Sequence, residues 1–449
     1  MAAKSSQAQS KIDGNWIPSS IPNLHIYSRD KWRLCLNPDV PSWIITTEAA
    51  VFLLKLADGH RTVDEIADAI LAYDDVPIYK EQVLSFFAEA KSKKLFSSPA
   101  KTDNVKPWEK RRLMAMHLHL TDRCNLQCNY CLRKSTPYIP LRHEPEQFIK
   151  MMEYIKPISI PKLRITYSGG EPLIYPSFKE VVKAATECGY ENQLLTNGIL
   201  ITESLAEFIG ANFTKVRISL DGIDRKSHAA TRGDNFNQVV RGIHLMSTQE
   251  TEVTVQITLT KSNQNVAVAK LKKMLPDVVR IAYTPMLPFG RAIDKQNEFI
   301  TDDEFLYVSR DWVRNRNERI RSEYFSGVPI FTPCHAGYSN LSIADSGNVY
   351  PCHLFHSEDF YFGNIFHDSL DEIFFGDKVR EYVRYMDVRN NNPECASCEM
   401  RFLCAGGCKA NSLHATGTYR APDLYCSYIK NSIIDNIFDS SELGTINLS

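Results

Sequence analysis

Three stretches of the chain carry different polar and apolar patterns. From about residue 22, HIYSRDKWRLCL reads as a β-hairpin segment and TEAAVFLLKL as a helix. Thr62 and Glu65 then form a capping box before a helix with Val63, Ile66, Ala67 and Ile70 on one face. KEQVLSFFAEAKSKK gives a third helix. The polar stretch SSPAKTDNVKP, residues 97–107, holds two prolines and suits a linker. Beyond it, short apolar strands are expected at 114–120, 163–167, 192–196, 215–220, 253–260 and 278–284. Amphipathic segments such as EQFIKMMEYI, FKEVVKAATEC and ESLAEFIGAN lie between them. Strand–helix alternation predicts an α/β fold with a parallel sheet and right-handed crossovers. Six such units fall short of the eight that close a barrel, so a partial, open (β/α)6 barrel is expected. From about residue 331 the chain is cysteine-rich, with no long helical pattern until its end and a polar last dozen residues. The expected division is 1–105, 106–330 and 331–449.

Composition narrows the classes. The 449 residues suffice for two or three domains, and 43% hydrophobic with 23% charged residues is ordinary for a soluble protein. A net charge of −1 supplies no global field for nucleic acid or an anionic membrane. No apolar run approaches a membrane span, and MAAKSSQAQSK lacks the apolar core of a signal peptide. A cytoplasmic location is expected, without nucleic-acid or membrane partners. In a reducing compartment clustered cysteines point to metal or catalysis rather than disulfides. Ten of the twelve cysteines fall in two groups, Cys124 to Cys131 and Cys334 to Cys426. Cys35 and Cys188 stand apart and read as small buried hydrophobes.

Directly after the first barrel strand, TDRCNLQCNYCLRKS spaces Cys124, Cys128 and Cys131 as C-x3-C-x2-C. Three thiolates so close can hold three corners of a cubane and leave the fourth iron open. Zinc is the rival, but structural zinc sites close with four ligands. Position favours the cluster, because α/β barrels place their chemistry at the C-terminal ends of the strands. The next strand ends in Ser168-Gly169-Gly170-Glu171-Pro172 at that rim. Alone this run means only a turn; beside a cluster, two glycines let backbone approach a small ligand. Thr196-Asn197-Gly198 and Ser219-Leu220-Asp221-Gly222 add polar groups at the same level.

Over roughly residues 110–300 these motifs resemble the radical S-adenosylmethionine (SAM) superfamily. The resemblance implies a 4Fe–4S cluster on Cys124, Cys128 and Cys131, with SAM chelating the open iron. Gly169, Gly170 and Glu171, followed by Pro172, would face the methionine amino group, and Tyr130 would lie near the adenine. Asn197, Ser219 and Arg232 are candidates for ribose and carboxylate contacts, Arg232 having an equal reading as a surface cation. No catalytic residue is assigned.

The C-terminal cysteines run Cys334, Cys352, Cys395, Cys398, Cys404, Cys408 and Cys426, with PECASCEMRFLCAGGC and SGNVYPC between. CxxC pairs alone would leave zinc a serious rival. The whole pattern resembles the SPASM extension of peptide-modifying radical SAM enzymes, which holds two auxiliary clusters. The resemblance puts Cys395, Cys398, Cys404 and Cys426 on one, and Cys334, Cys352 and Cys408 on the other. That makes three 4Fe–4S clusters, one of them short of a protein thiolate. His335 or His353 could fill the gap; an open iron for a substrate cysteine is the preferred reading.

Residues 22–97, with ITTEAAVFLLKLADGHRTVDEIADAIL, resemble the winged-helix domain that binds leader peptides by strand addition. The DNA-binding alternative is weakened because lysines of the third helix pair with Glu81 and Glu89 instead of forming a basic stripe. The combined reading is a maturase that forms a thioether in a ribosomally made precursor peptide. Its expected partners are that peptide, with its leader, and an electron donor such as flavodoxin or ferredoxin. Carbon–carbon crosslinking is the runner-up. Sulfatase maturation is disfavoured, because those relatives carry Asp where this chain has His353 and lack the N-terminal domain. A non-catalytic scaffold that delivers peptide would need no SAM.

Overall fold

The computed structural model describes residues 12–40, 42–72, 79–97, 108–264, 268–306, 334–388 and 392–439. Most of the expected linker, the 330/331 boundary and the polar C-terminal end lie outside these residues.

The N-terminal unit is a three-stranded antiparallel sheet, β1 (His25–Arg29), β2 (Trp32–Asn37) and β3 (Ser42–Thr47), followed by three helices. These are α1 (Glu48–Leu56), α2 (Val63–Leu71) and α3 (Lys80–Ser92). The hairpin turns at Asp30-Lys31, with Arg29 opposite Trp32. Thr62 caps α2, its side chain accepting from the Glu65 N–H while Glu65 reaches back to the Thr62 N–H. One sheet face, with Cys35 and Ile44, packs on Val63, Ile66, Ile70, Phe86 and Phe87 of the helices. Cys35 is fully buried there, whereas Cys188 is half-buried and donates to Glu153 at 3.1 Å.

Six parallel strands follow in sequence order: β4 (Leu113–Thr121), β5 (Ser159–Gly169), β6 (Glu191–Thr196), β7 (Phe213–Ser219), β8 (Glu252–Leu259) and β9 (Arg280–Pro285). The connecting helices are α4 (Pro145–Tyr154), α5 (Phe178–Glu187), α6 (Glu203–Asn212), α7 (Arg225–Arg232), α8 (Phe236–Ser247) and α9 (Val268–Met274). Alternate strand residues split between two faces. Met116, Leu118, Ile165, Tyr167, Leu194, Val216, Ile218, Val255 and Ile257 go into the core with Phe148, Phe178 and Ile209 of the helices. Polar residues occupy the other, concave face.

The sheet does not stop at the sixth strand. β10 (Asn340–Ile343) pairs parallel with β4, and β11 (Asn348–Tyr350) and β12 (Gly363–Asn364) extend it to nine strands. The cysteine-rich region, expected to stand apart, thus shares a sheet with the barrel. It adds α10 (Asp377–Met386), α11 (Lys409–Thr416) and α12 (Cys426–Asp439). Ile437 and Phe438 of α12 pack under Leu34 and Ile45 on the second face of the N-terminal sheet. Arg401–Asp39 (2.5 Å) and Arg29–Asp439 (2.7 Å) flank that contact.

Phe178 is a keystone of the barrel core, stacked on Phe213 with centroids 5.9 Å apart and edge-on to Tyr167 at 6.0 Å. Phe178→Ala should cost about 3–5 kcal/mol in urea unfolding. Truncating Tyr138, 86% exposed, should stay within about 0.5 kcal/mol.

Candidate functional site

The loop after β4 presents Cys124, Cys128 and Cys131 at the C-terminal rim of the sheet. It is tied down on several sides. Arg133 Nη2 donates to both carboxylate oxygens of Asp122, at 2.7 and 2.8 Å. Asn129 N–H donates to the Thr231 carbonyl of α7 at 3.0 Å. Arg291, after β9, donates to the carbonyls of Cys128 (2.7 Å) and Ser135 (3.0 Å).

The end of β5 meets the start of this loop. Gly170 N–H donates to the Thr121 carbonyl at 2.7 Å and Glu171 N–H to the Arg123 carbonyl at 3.0 Å. A Cβ on Gly169, which has φ +115°, would run into the Thr121 carbonyl, and one on Gly170 into that of Arg123. The glycines therefore admit the backbone of the cysteine loop, which is a different need from the ligand approach their sequence suggests. Glu171 is buried and accepts from Thr196 Oγ1 (2.7 Å), Asn197 N–H (2.8 Å) and Leu173 N–H (3.1 Å). Burial lifts its carboxyl to about 7 against these hydrogen bonds. Asn197 in turn donates to Asn125 Oδ1 at 2.7 Å, with its amide 3.9 Å from Cys124 Sγ. Pro172 is buried in the turn that follows.

Arg232 is 10% exposed and bound to the fully buried Asp221 at 2.7 Å, so the surface-cation reading is set aside. Its guanidinium stands over the Tyr130 ring, 5.4 Å from the centroid, and 4.0 Å from Cys128 Sγ. Asp221 also accepts from the Tyr130 hydroxyl, Thr231 Oγ1 (3.0 Å) and Thr258 N–H (3.0 Å). Its hub role was missed from sequence; the only signal was its place in a polar run at a strand end. Ser219 lies on the same rim, partly exposed.

The thiols gather in three sets. Burial first, and then Cys128 and Cys131 among its neighbours, pushes Cys124 up to about 12. Burial and then Cys352 push Cys334 up to about 11, and burial with Cys334 and Cys352 among its neighbours pushes Cys408 up to about 12. Cys404 rises to about 12 through burial, then through Cys426 and Cys395, and Cys395 feels Cys398. Lys409 is buried and lowers both Cys334 and Cys395, so one ammonium faces two sets. Among the described residues no three His, Cys, Asp or Glu converge as ligands of a single metal ion. Thiolate-only sets of three, three and four suit iron–sulfur clusters, which seat each sulfur on a different iron.

Two histidines of the C-terminal region lie on the concave face. His353 stacks on His117 at 4.4 Å with its Nδ1 3.6 Å from Cys352 Sγ, and His356 stacks on His119 at 4.7 Å. Burial, then Arg133, holds His353 down to about 4 and His356 to about 3. His335 is bonded to Ser339 at 3.0 Å.

Comparison with known proteins agrees with this layout. Residues 118–269 match the radical SAM superfamily, and residues 334–399 match SPASM, an iron–sulfur cluster-binding domain. The AdoMet-dependent heme synthase of Methanosarcina barkeri is 27% identical, covering 71% of this chain and 96% of its own. The antilisterial bacteriocin subtilosin biosynthesis protein AlbA of Bacillus subtilis is 25% identical, covering 87% and 89%. The structure of native anSMEcpe with bound AdoMet covers 74% of this chain and all of its own, with TM-score 0.60 and 20% identity. Streptococcus suis SuiB bound to precursor peptide SuiA covers 91% and 99%, with TM-score 0.56 and 15% identity. The chain is an enzyme with a radical SAM domain and a SPASM domain, which imply 4Fe–4S clusters and SAM. No helix among the described residues is long and apolar enough to cross a membrane.

Removing one member of the Arg232–Asp221 pair strands a buried charge. Asp221→Asn should destabilise by about 3–5 kcal/mol. The double change with Arg232→Gln should cost less than the sum of the singles, read by anaerobic urea unfolding.

Proposed function

We propose that the chain is a maturase that joins a cysteine sulfur to a carbon within a ribosomally made precursor peptide. Cys124, Cys128 and Cys131 hold a 4Fe–4S cluster whose open iron takes SAM. Cys334, Cys352 and Cys408 hold a second cluster, and Cys395, Cys398, Cys404 and Cys426 a third. The observation that carries this reading is the sorting of ten thiols into sets of three, three and four. When bound, the first cluster and SAM supply a 5′-deoxyadenosyl radical able to take hydrogen from an unactivated carbon, fed by a donor such as flavodoxin or ferredoxin.

The chain's own residues orient and shield. Gly169, Gly170, Glu171 and Pro172 form the wall beside the methionine end of SAM. Tyr130 lies beside the adenine, and Asn197, Ser219 and Arg232 serve the ribose and carboxylate. The Arg232–Asp221–Tyr130 contacts hold these groups before SAM arrives. With three cysteines, the second set keeps a corner for an outside thiolate, the substrate cysteine. His335 is already engaged by Ser339 and His353 is stacked on His117, which favours the open corner.

The N-terminal sheet is the leader site. Its edges are β1 and β3, and a peptide can add there as a further strand through main-chain hydrogen bonds. The peptide held by SuiB supports a peptide substrate, as does the role of AlbA in bacteriocin biosynthesis.

Anaerobically reconstituted protein should hold about twelve irons per chain, and the triple Cys124, Cys128, Cys131→Ala variant about eight with no 5′-deoxyadenosine. A variant that still cleaves SAM would overturn the assignment. A co-expressed cysteine-bearing precursor should lose two hydrogens and one alkylatable thiol, measured by mass spectrometry. Loss of two hydrogens with every thiol still alkylated would point to a carbon–carbon crosslink.

A further inference from the structure

Helix α10 turns Val379, Tyr382 and Met386 inward, a spacing that puts them on one helix face. Tyr382 lands among phenylalanines. Its ring is edge-on to Phe355 (6.0 Å), Phe360 (6.1 Å) and Phe362 (5.5 Å). It also lies against Gly337, φ +70°, where a Cβ would stand 2.6 Å from a ring carbon. The Gly337 N–H donates to the Pro351 carbonyl at 3.1 Å, and the Phe355 N–H to the Cys352 carbonyl at 2.9 Å. The ring is therefore seated on the two segments that carry Cys334 and Cys352.

Phenylalanine would fill this nest as well, so packing does not account for the hydroxyl. Tyr382 is 7% exposed, and its hydroxyl is buried with no hydrogen-bond partner among the described residues. A buried hydroxyl without a partner has given up its hydration for nothing, and folded proteins rarely leave one so. Burial first, then the Cys334, Cys352 and Cys408 thiols, raise the phenol well above its ordinary range. It therefore stays protonated, a donor within electrostatic reach of all three thiols. Sulfur bound to iron is an acceptor that suits it, and hydrogen bonds to such sulfur tune a cluster's potential.

We infer that Tyr382 donates its O–H to a sulfur of the cluster held by Cys334, Cys352 and Cys408 and so sets that cluster's reduction potential. The inference rests on the assignment of a cluster to those three thiols. Tyr382 is then a positioning residue, acting through the cluster and not on the substrate. Reduction adds negative charge to the cluster, so a donor stabilises the reduced form more than the oxidised one. The potential rises, and the cluster becomes a better electron acceptor.

The anaerobic holoenzyme is titrated potentiometrically, with its reduced clusters followed by electron paramagnetic resonance. The signal missing from a Cys334, Cys352, Cys408→Ala variant belongs to this cluster. In Tyr382→Phe that signal should persist with unchanged iron content. Its potential should be lower by about 59 mV, an about tenfold change in a one-electron equilibrium. Tyr361→Phe, in the wall of the same cavity of about 330 Å³ that Tyr382 borders, should leave the potential in place. Tyr382→3-fluorotyrosine keeps the ring and makes the hydroxyl a stronger donor, so the potential should rise; this variant decides if Tyr382→Phe fails to fold. An unmoved potential in folded Tyr382→Phe, no rise in the fluorinated protein, or an equal fall in Tyr361→Phe overturns the inference. If the parent protein has no signal that depends on the three cysteines, the cluster assignment fails and takes the inference with it. A signal that is present but indifferent to position 382 sinks only the role of Tyr382.

Discussion

The structure hangs on a close approach of two backbones at the rim. The end of β5 lies against residues 121–123, and only hydrogen atoms fit where Gly169 and Gly170 face the Thr121 and Arg123 carbonyls. Those contacts place Glu171, and a buried carboxylate must find donors. It finds them on β6, in Thr196 and the Asn197 amide, and Asn197 returns to Asn125 in the cysteine loop. Loop, β5 and β6 thus close a ring of hydrogen bonds that fixes where Cys124 sits. Any side chain at Gly170 would push the loop away and break the ring at its first step.

The same economy fixes the C-terminal region. β10 pairs with β4 by parallel strand hydrogen bonds, which sets the distance between the first thiol set and Cys334 and Cys352. His353 and His356 then lay their rings on His117 and His119, side chains that the pleat of β4 turns to the concave face. Both C-terminal imidazoles are kept neutral by burial, so they add no charge to a face whose cations, Arg164, Lys215 and Arg217, come from β5 and β7. The chemistry of the concave face is thereby divided: aromatic nitrogen on one side, fixed positive charge on the other.

The barrel strands were legible because their apolar residues face a helix layer and their period is two, as in MAMHLHL and KVRISL. The capping box at Thr62 was legible because it is a local rule. Strands of four, three and two residues, such as those from Asn340 onward, are too short to show a period. α7, RKSHAATR, is too polar to announce a helix face. Asp221 escaped because its partners come from three separate segments, at Tyr130, Thr231–Arg232 and Thr258. Spacing alone leaves the thiol groupings open. The crossing that sets Cys408 with Cys334 and Cys352, rather than with its sequence neighbour Cys404, came from the resemblance to the SPASM extension, and Cys334 and Cys352 are among the groups that raise the Cys408 thiol.

That crossing has a mechanical consequence. Cys426 is the first residue of α12, whose fourteen residues run about 21 Å. Asp302 caps the start of this helix by accepting from the Ser427 and Tyr428 N–H groups at 2.7 and 2.8 Å. Its other end, Ile437 and Phe438, is buried under Leu34 and Ile45 of the N-terminal sheet. Tyr27 of the edge strand β1 donates to Glu399 at 2.8 Å, and Glu399 is also bound by Lys430 of α12 and adjoins Cys398. The N-terminal sheet and the four-thiol set therefore share one wall, anchored at both ends. A strand added along β1 would lie beside Tyr27, one hydrogen bond from the residue that follows Cys398. The sheet cannot tilt on its support without drawing on α12, and α12 cannot shift without moving Cys426.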